Sequence, residues 1–336
     1  MAVVQLADIY EPTTFNAGVQ EAAVEQNAFL RSGIMVSDPV IDNMASGPGT
    51  IGEIPFFYGL THDEPDYVTD DPTDLATPAK LSGAKQVYRK ANLHKSWSTM
   101  DLARELGLID PLGAITGRIG KYWAVNTEKR LIQTALGVLA DNIANDSGDM
   151  VNAVHTETGA SAVAANRISA EAVLDATQTM GDHARNIGAI AMHSIQYNQL
   201  RKANLIDYVA PSDAKVRIPM YLDMEVIVDD SMPVRAGTTN GFVYTVILFA
   251  KGAFAYGNGT PPVPSEIERV ANAGYGGGQD IIHSRTTEIV HPYGLQWLDA
   301  SVAGQSATYT ELATAANWNR IYASRKNLGM AFLTVN

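Results

Sequence analysis

Between positions 216 and 228 the hydrophobic and polar residues alternate with a period of two. All seven even positions are apolar, whereas the odd positions include Arg217, Asp223 and Glu225. This alternation predicts one strand or a bent pair of strands, and Pro219 favours an edge or a bulge. The run FVYTVILFA at 242–250 is hydrophobic on both faces and predicts a central buried strand. Other apolar runs predict strands at 187–193, 285–291 and 330–335.

A different periodicity, with apolar residues at helical spacing, follows Asp110-Pro111. Aspartate suits the N-cap of a helix and proline suits its first turn, so this pair predicts the start of a long helix. The helix is expected to run for roughly 30 residues, or about 45 Å, and to end at 146–148. Ser169 and Ser194 are expected to cap two shorter helices. Helices and mainly antiparallel strands together predict an α+β fold.

Glycines stand at three positions in the first turns of the long helix, namely Gly113, Gly117 and Gly120. They either admit the close approach of another backbone or are tolerated without any such contact. The sequence leaves both alternatives open.

The first 95 residues hold little that could build a core of their own. Residues 1–50 consist of short amphipathic pieces broken by prolines and glycines, and we expect an arm that packs on something else. Residues 51–95 contain too many prolines for a long helix, and such a length is excessive for a plain loop. An isolated two-stranded ribbon is marginal in water, so this stretch needs a second surface to lie on.

The charges in this extended stretch are sorted by sign. Six acids come first, without any lysine or arginine between them: Asp63, Glu64, Asp66, Asp70, Asp71 and Asp74. Five bases follow, without any acid between them: Lys80, Lys85, Arg89, Lys90 and Lys95. We expect two patches of opposite sign that seek complements on other chains.

Composition narrows the class of protein. The chain has 336 residues, of which 46% are hydrophobic and 18% charged, which is enough apolar material for a large core. The net charge of -12 argues against a protein that grips phosphates along its length. The absence of cysteine excludes disulfides and thiol catalysis and fits a reducing cytoplasm. No apolar run is long enough to span a bilayer, and the first residues do not form a secretory signal.

No catalytic, cofactor-binding or metal-binding residue is predicted. The motif GPGTIG at 47–52 matches a dinucleotide fingerprint by letter, but Pro55 follows where its helix should begin, so a hinge is the better interpretation. His193-Ser194 stands at a strand-to-helix junction, where a hydrolase could place its nucleophile, but the sequence shows no acid or oxyanion hole to complete a triad, and a helix cap explains Ser194 fully. The seven histidines form no pair at ligand spacing.

Several segments in succession resemble the major capsid proteins of tailed bacteriophages, the family with the Hong Kong 97-type shell fold. An arm, an extended loop and a long helix come first. They are followed by AIAMHSIQYNQLRKANLID at 189–207, VIVDDSMPV at 226–234, GFVYTVILFAKGAFAYGNGTPP at 241–262 and RTTEIVHPYGLQW at 285–297.

The resemblance implies an architecture. An N-terminal arm at 1–50 would reach along other subunits, and an extended loop at 51–95 would lie over the adjacent one. A peripheral domain would combine 96–168 with 284–336, and an axial domain at 169–283 would surround the symmetry axes. Certain relatives cross-link a loop lysine to an asparagine of a neighbour, but no motif here supports that chemistry at Lys80, Lys85 or Lys90.

The resemblance also implies a function. The chain would be the structural subunit of hexamers and pentamers in an icosahedral shell that encloses double-stranded phage DNA without binding it specifically. Copies of itself, a separate scaffolding protein, a portal and possible decoration proteins would be its partners, with assembly in the host bacterial cytoplasm and a final place in the virion. A cytoplasmic hydrolase using the 189–200 junction and an encapsulin-like compartment subunit are the alternatives.

The extended loop supplies the residues expected to contact a neighbouring subunit. These are Phe56, Phe57, Tyr58, Asp63, Glu64, Asp66, Asp70, Asp71, Asp74, Lys80, Lys85, Arg89 and Lys90.

Overall fold

A computed structural model describes Phe29 and residues 32–37, 39–60, 63–76, 78–107, 111–209 and 218–336. Its helices are α1 (Pro39–Ser46), α2 (Asp101–Gly107), α3 (Pro111–Asn145), α4 (Ala170–Gln178), α5 (Ser194–Lys202), α6 (Ala273–Gly276) and α7 (Tyr309–Leu312). The first eleven strands are β1 (Met35–Ser37), β2 (Ile51–Phe57), β3 (Gly83–Arg89), β4 (Ala91–Met100), β5 (Val151–Ala153), β6 (Ile187–Met192), β7 (Asp207–Val209), β8 (Ile218–Tyr221), β9 (Met224–Val228), β10 (Val234–Ala236) and β11 (Phe242–Ala250). The remaining strands are β12 (Phe254–Gly259), β13 (Ser265–Val270), β14 (Gln279–Pro292), β15 (Leu295–Trp297), β16 (Trp318–Arg320) and β17 (Met330–Val335).

An eight-stranded sheet follows the order β5-β17-β11-β6-β9-β8-β7, with β10 added to β11. The predicted strand at 242–250 lies at its centre, between β17 and β6, and is almost entirely buried. The alternating stretch is the predicted bent pair, because Leu222 and Asp223 adopt positive φ angles between β8 and β9. Val216 and Arg217 lie outside the described residues.

Two helices cover one face of this sheet. Ser169 caps α4 as predicted, because its hydroxyl accepts a hydrogen bond from the Ala172 amide at 3.2 Å. The cap of α5 lies one residue before the prediction: the Nδ1 atom of His193 accepts from the Ile195 amide at 3.2 Å. The apolar side chains of both helices pack with the sheet in a single buried cluster.

The second large sheet has five strands and is built around β14. Residues 279–284 of β14 pair with β4 along one edge and with β13 along the other. Further along, β14 pairs with β12, and β1 adds to β12 in parallel. This sheet therefore joins residues near both ends of the described chain.

The long predicted helix is α3, with 35 residues, and it ends at Asn145 as expected. Asp110, its predicted cap, lies outside the described residues. The helix lies on the five-stranded sheet, where the Trp123 indole donates to Ser284 Oγ at 2.9 Å. A buried ion pair fixes its middle, because Arg130 Nε lies 3.2 Å from Glu288 Oε1. Burial raises the pKa of the Glu288 carboxyl, and Arg130 opposes part of that rise.

One apolar cluster joins the two sheets. It contains Leu131 of α3, Ile247 of β11 and Phe254 of β12, all fully buried. Within the described residues, no helix is long and apolar enough to cross a membrane.

The described part of the predicted arm packs on the body of its own chain. Strand β1 belongs to the five-stranded sheet, and α1 lies on β12. The helix comes this close because Gly257 has no side chain: a Cβ atom there would be 2.7 Å from the carbonyl oxygen of Ile41. Residues 1–28 lie outside the described residues.

The two sheets do not follow the domain boundaries expected from the resemblance, at residues 168–169 and 283–284. Strands β12 and β13 precede residue 284, yet both pair with β14 in the five-stranded sheet. Strands β5 and β17 pair with each other in the eight-stranded sheet, although both were expected in the other domain. The pairing of β5 with β17, which are far apart in the sequence, depends on tertiary packing and leaves no local signal.

Candidate assembly surface

The predicted extended loop consists of a short hairpin and a long projecting tip. Strands β2 and β3 pair over seven residues each, and a hydrogen bond of 2.9 Å from the Tyr58 amide to the Ser82 carbonyl extends the ladder by one step. Beyond it, all described residues from 63 to 76, which we call the tip, are exposed. The tip is therefore not buried against its own chain.

Large apolar side chains stand in the tip without cover. Val68 and Leu75 are 101% and 86% exposed, and Tyr67 is 77% exposed. Sequence reasoning did not select these residues, because they follow neither strand nor helix periodicity. An exposed apolar set of this kind on a soluble protein typically marks an interaction site.

The six acids of the predicted block all lie in the tip. Their hydrogen bonds are local: Thr69 Oγ1 donates to Asp74 at 2.8 Å, and the Thr73 amide and hydroxyl donate to Asp71 at 2.9 and 2.7 Å. Those bonds lower the pKa of Asp71, which keeps its carboxylate charged. Within the described residues, no lysine or arginine comes within ion-pair distance of any of the six.

The basic block is not a second patch on the loop. Lys90 is buried and its ammonium donates to the Gly47 carbonyl at 2.5 Å. Arg89 pairs with Asp299 and donates to the Gly304 carbonyl at 2.6 Å. Lys85 pairs with Glu53 across the hairpin at 2.5 Å. All three bases have partners within their own chain, although Lys85 remains exposed on the hairpin.

The remaining two bases are exposed but lie apart. Lys80 stands in the exposed stretch that leads to β3, and Lys95 lies on β4 within the five-stranded sheet. The structure therefore brings the acids together and spreads the bases.

The aromatic trio at the hairpin base is also divided. Phe56 packs edge-to-face against Tyr58 at 5.2 Å and against Tyr322 of the body at 5.3 Å. Phe57, in contrast, is 73% exposed. Only Phe57 of the three is mainly available to another chain, and Phe56 instead orients the hairpin.

The alternative chemistry finds little support in the geometry. His193 Nε2 lies 3.7 Å from Asp230, but its Nδ1 atom is occupied by the α5 cap. The GPGTIG stretch links α1 to β2 and leads into a strand where a dinucleotide loop would lead into a helix, so it is not a dinucleotide loop. In the described part of the chain, no cluster of three or more histidine, aspartate or glutamate side chains could hold a metal ion.

Comparison with known proteins agrees with the resemblance. Residues 76–329 match the family described as Major capsid protein 13-like. The chain is 33% identical over 328 residues to the major capsid protein of Bacillus phage SPP1, covering 97% of this chain and 96% of that protein.

Solved phage capsids show the same fold at low sequence identity. The capsid of Ralstonia phage GP4 superimposes with a TM-score of 0.60 at 10% identity, covering 90% of this chain and 87% of that one. The capsid of cyanophage Pam1 gives a TM-score of 0.54 at 11% identity, covering 91% and 89%. The fold is thus the Hong Kong 97-like capsid fold.

These findings decide between the functions left open by the sequence. The matching family and the SPP1 relative are structural major capsid proteins, so the protein is a shell subunit that associates with itself and is not a hydrolase. The SPP1 relative is a phage protein, which favours a phage head over a cellular compartment. The chain belongs to the Major capsid protein 13-like family of phage head shell proteins.

Proposed function

We propose that the subunit builds an icosahedral head by laying the tip of its loop on neighbouring copies, within hexamers and pentamers that enclose double-stranded DNA. The observation that carries this proposal is the exposure of the whole described tip, with six acids and large apolar side chains that have no cover. Apolar burial would supply affinity, and the charges would set register and disfavour wrong pairings. Phe57 and Lys80 are the other loop residues available for these contacts.

In this proposal the two sheets have separate places in the shell. The eight-stranded sheet with α4 and α5 is the axial domain around the five-fold and six-fold axes, and the five-stranded sheet with α3 is the peripheral domain. We place the boundary where the sheets change, between β11 and β12, with β5 and β17 on the axial side. The net charge of -12 suits a shell with little non-specific affinity for the DNA that it encloses, because like charges repel.

The proposal extends to partners and place of assembly. A separate scaffolding protein would guide the closure of the shell in the host cytoplasm, a portal would occupy one vertex, and decoration proteins would add to the outside. Coexpression of the chain with each candidate from its own genome, followed by electron microscopy of the particles, tests these partners individually.

Deletion of the tip tests the central claim. A variant in which a Gly-Gly link replaces residues 60–81 keeps β2 and β3, so we expect a folded subunit with an unchanged circular dichroism spectrum. Electron microscopy should show no closed shells from this variant under conditions where the unmodified chain forms them. Normal shells from the deletion variant would refute the proposed role of the loop.

A matched pair of variants separates the two kinds of contact. Replacement of Tyr67, Val68 and Leu75 by serine removes apolar surface, and replacement of the six acids by their amides removes charge. We expect the first to abolish shells and the second to produce misassembled particles. Glu266→Gln and Glu268→Gln, which alter exposed acids on β13, serve as the control.

A further inference from the structure

A cleft of about 1230 Å³ opens between the base of the hairpin and the body. Phe57 and Leu60 line it from the hairpin side, and residues 185–188, 250–253, 322–324 and 326–329 line it from the body. Small-molecule sites usually measure about 300–1,000 Å³. A cleft larger than this suits a polypeptide segment better than a small ligand.

The wall of the cleft is positively charged. Arg185 and Lys251 are exposed there, and neither pairs with a carboxylate of the described residues. Lys326 also lines the cleft and pairs with Asp182 at 2.8 Å. Asp223 is the acid on this wall. The lining therefore carries Arg185 and Lys251 without an ion pair, against the single carboxylate of Asp223, and has a net positive charge.

The tip has the complementary properties. It carries six acids with no base, and its apolar side chains match Phe57 and Leu60 on the wall of the cleft. It does not fill the cleft of its own chain, because all of its described residues are exposed.

We propose that the cleft of each subunit receives the tip, residues 63–76, of a second copy. This inference rests on the proposed function and adds the surface on which the loop docks. The contact is head-to-tail, because the loop of one copy enters the cleft beneath the loop of the next. Repeated contacts of this heterologous type close into a ring when the rotation permits.

Photo-cross-linking tests the placement directly. The variant Tyr67→p-benzoylphenylalanine puts a photoreactive group in the tip, and Tyr275→p-benzoylphenylalanine puts the same group at a fully exposed turn as the control. Chains labelled with nitrogen-15 and unlabelled chains are mixed, assembled and irradiated, and mass spectrometry identifies the joined peptides. We expect position 67, and not position 275, to join peptides from 185–188, 250–253 or 322–329 of a different copy.

Three outcomes would overturn the inference. These are cross-links from position 67 to any other surface such as α3, cross-links within one chain only, and cross-links from position 275 to the cleft at equal yield. The same irradiation on concentrated, unassembled subunits gives a result even if shells do not form. Loss of shells on tip deletion together with cross-links outside the cleft would leave the proposed function standing and refute only this docking site.

A charge exchange tests the electrostatic part. The double variant Arg185→Glu and Lys251→Glu should lower the cross-linking yield from position 67 at least five-fold. Adding Asp70→Lys and Asp71→Lys to the same chain should recover most of it, which a mere folding defect would not allow. Lys129→Glu, at an exposed lysine of α3, should leave the yield unchanged. Failure of the exchange to recover any yield would count against a charge contact between tip and cleft.

Discussion

At Gly137, in the middle of α3, the helix lies close against the C-terminal part of the chain. A Cβ atom at this position would lie 2.6 Å from Cδ1 of Trp318 and would overlap both the Trp318 indole nitrogen and the carbonyl oxygen of Leu312. The indole and that carbonyl are joined by a buried hydrogen bond of 2.7 Å. The methyl group of an alanine would therefore disrupt the hydrogen bond between the Trp318 indole and the Leu312 carbonyl.

We expect Gly137→Ala to lower the free energy of unfolding by about 2–4 kcal/mol. Overpacking of a buried site costs about 1–3 kcal/mol, and breaking the bond between Trp318 and Leu312 adds about 1–3 kcal/mol for groups left without partners. The higher helix propensity of alanine offsets at most about 1 kcal/mol of this loss of stability. The sign is therefore opposite to the usual effect of this substitution in a helix.

Denaturant unfolding of unassembled subunits, followed by tryptophan fluorescence, measures this difference. Gly120→Ala in the same helix is the matched control, because nothing lies within 4 Å of a Cβ atom there and the position is exposed. The control should be more stable than the original by about 0.5–1 kcal/mol. If Gly137→Ala proved as stable as the control, the close packing of α3 against Trp318 would be refuted.

Three further changes test other parts of the fold, each by denaturant unfolding. Glu288→Gln should cost about 3–5 kcal/mol, because it leaves Arg130 buried without its counter-charge, whereas the exposed control Glu268→Gln should cost less than about 1 kcal/mol. Burial lowers the pKa of His291 to about 4. The unfolded chain therefore binds more protons between that value and about 6.5, so stability should fall as the pH drops through this window, and His291→Gln should flatten the decline. Thr308→Ala should cost about 1 kcal/mol, because it removes the capping box of α7; an unchanged midpoint would contradict that role.

Elements whose residues are buried along a continuous stretch could be predicted from sequence. The runs at 242–250 and 330–335 are strands as predicted, because a central strand needs apolar residues on both faces. The helix α3 was predicted from its apolar spacing over several turns. Strand β4 could not be predicted in this way, because its sequence ANLHKSWSTM is mostly polar and it pairs with β14, almost 190 residues away.

In the candidate surface, too, features with a local sequence signal could be predicted, and features set by tertiary packing could not. The acids could be predicted to cluster because neighbours in sequence remain neighbours in an extended tip. The bases could not, since the Asp299 partner of Arg89 and the Gly47 partner of Lys90 are set by tertiary packing. The glycines of α3 are a further example. The sequence drew attention to Gly117 and Gly120, where a Cβ atom would meet nothing within 4 Å, whereas the close contact occurs at Gly137.

Folding and assembly depend on different kinds of contact in this subunit. The body is held by one apolar cluster that runs from α3 through both sheets, so burial alone can keep it together. The tip has exposed charges instead, and an exposed ion pair contributes only about 0.2–1 kcal/mol, too little to fix it on its own chain. In the proposed assembly, burial of the exposed apolar side chains of the tip adds affinity to these weak charge contacts, and both recur at every interface of a closed ring. On the proposed function, the body is held by its own apolar cluster and the exposed tip is left for contacts between copies.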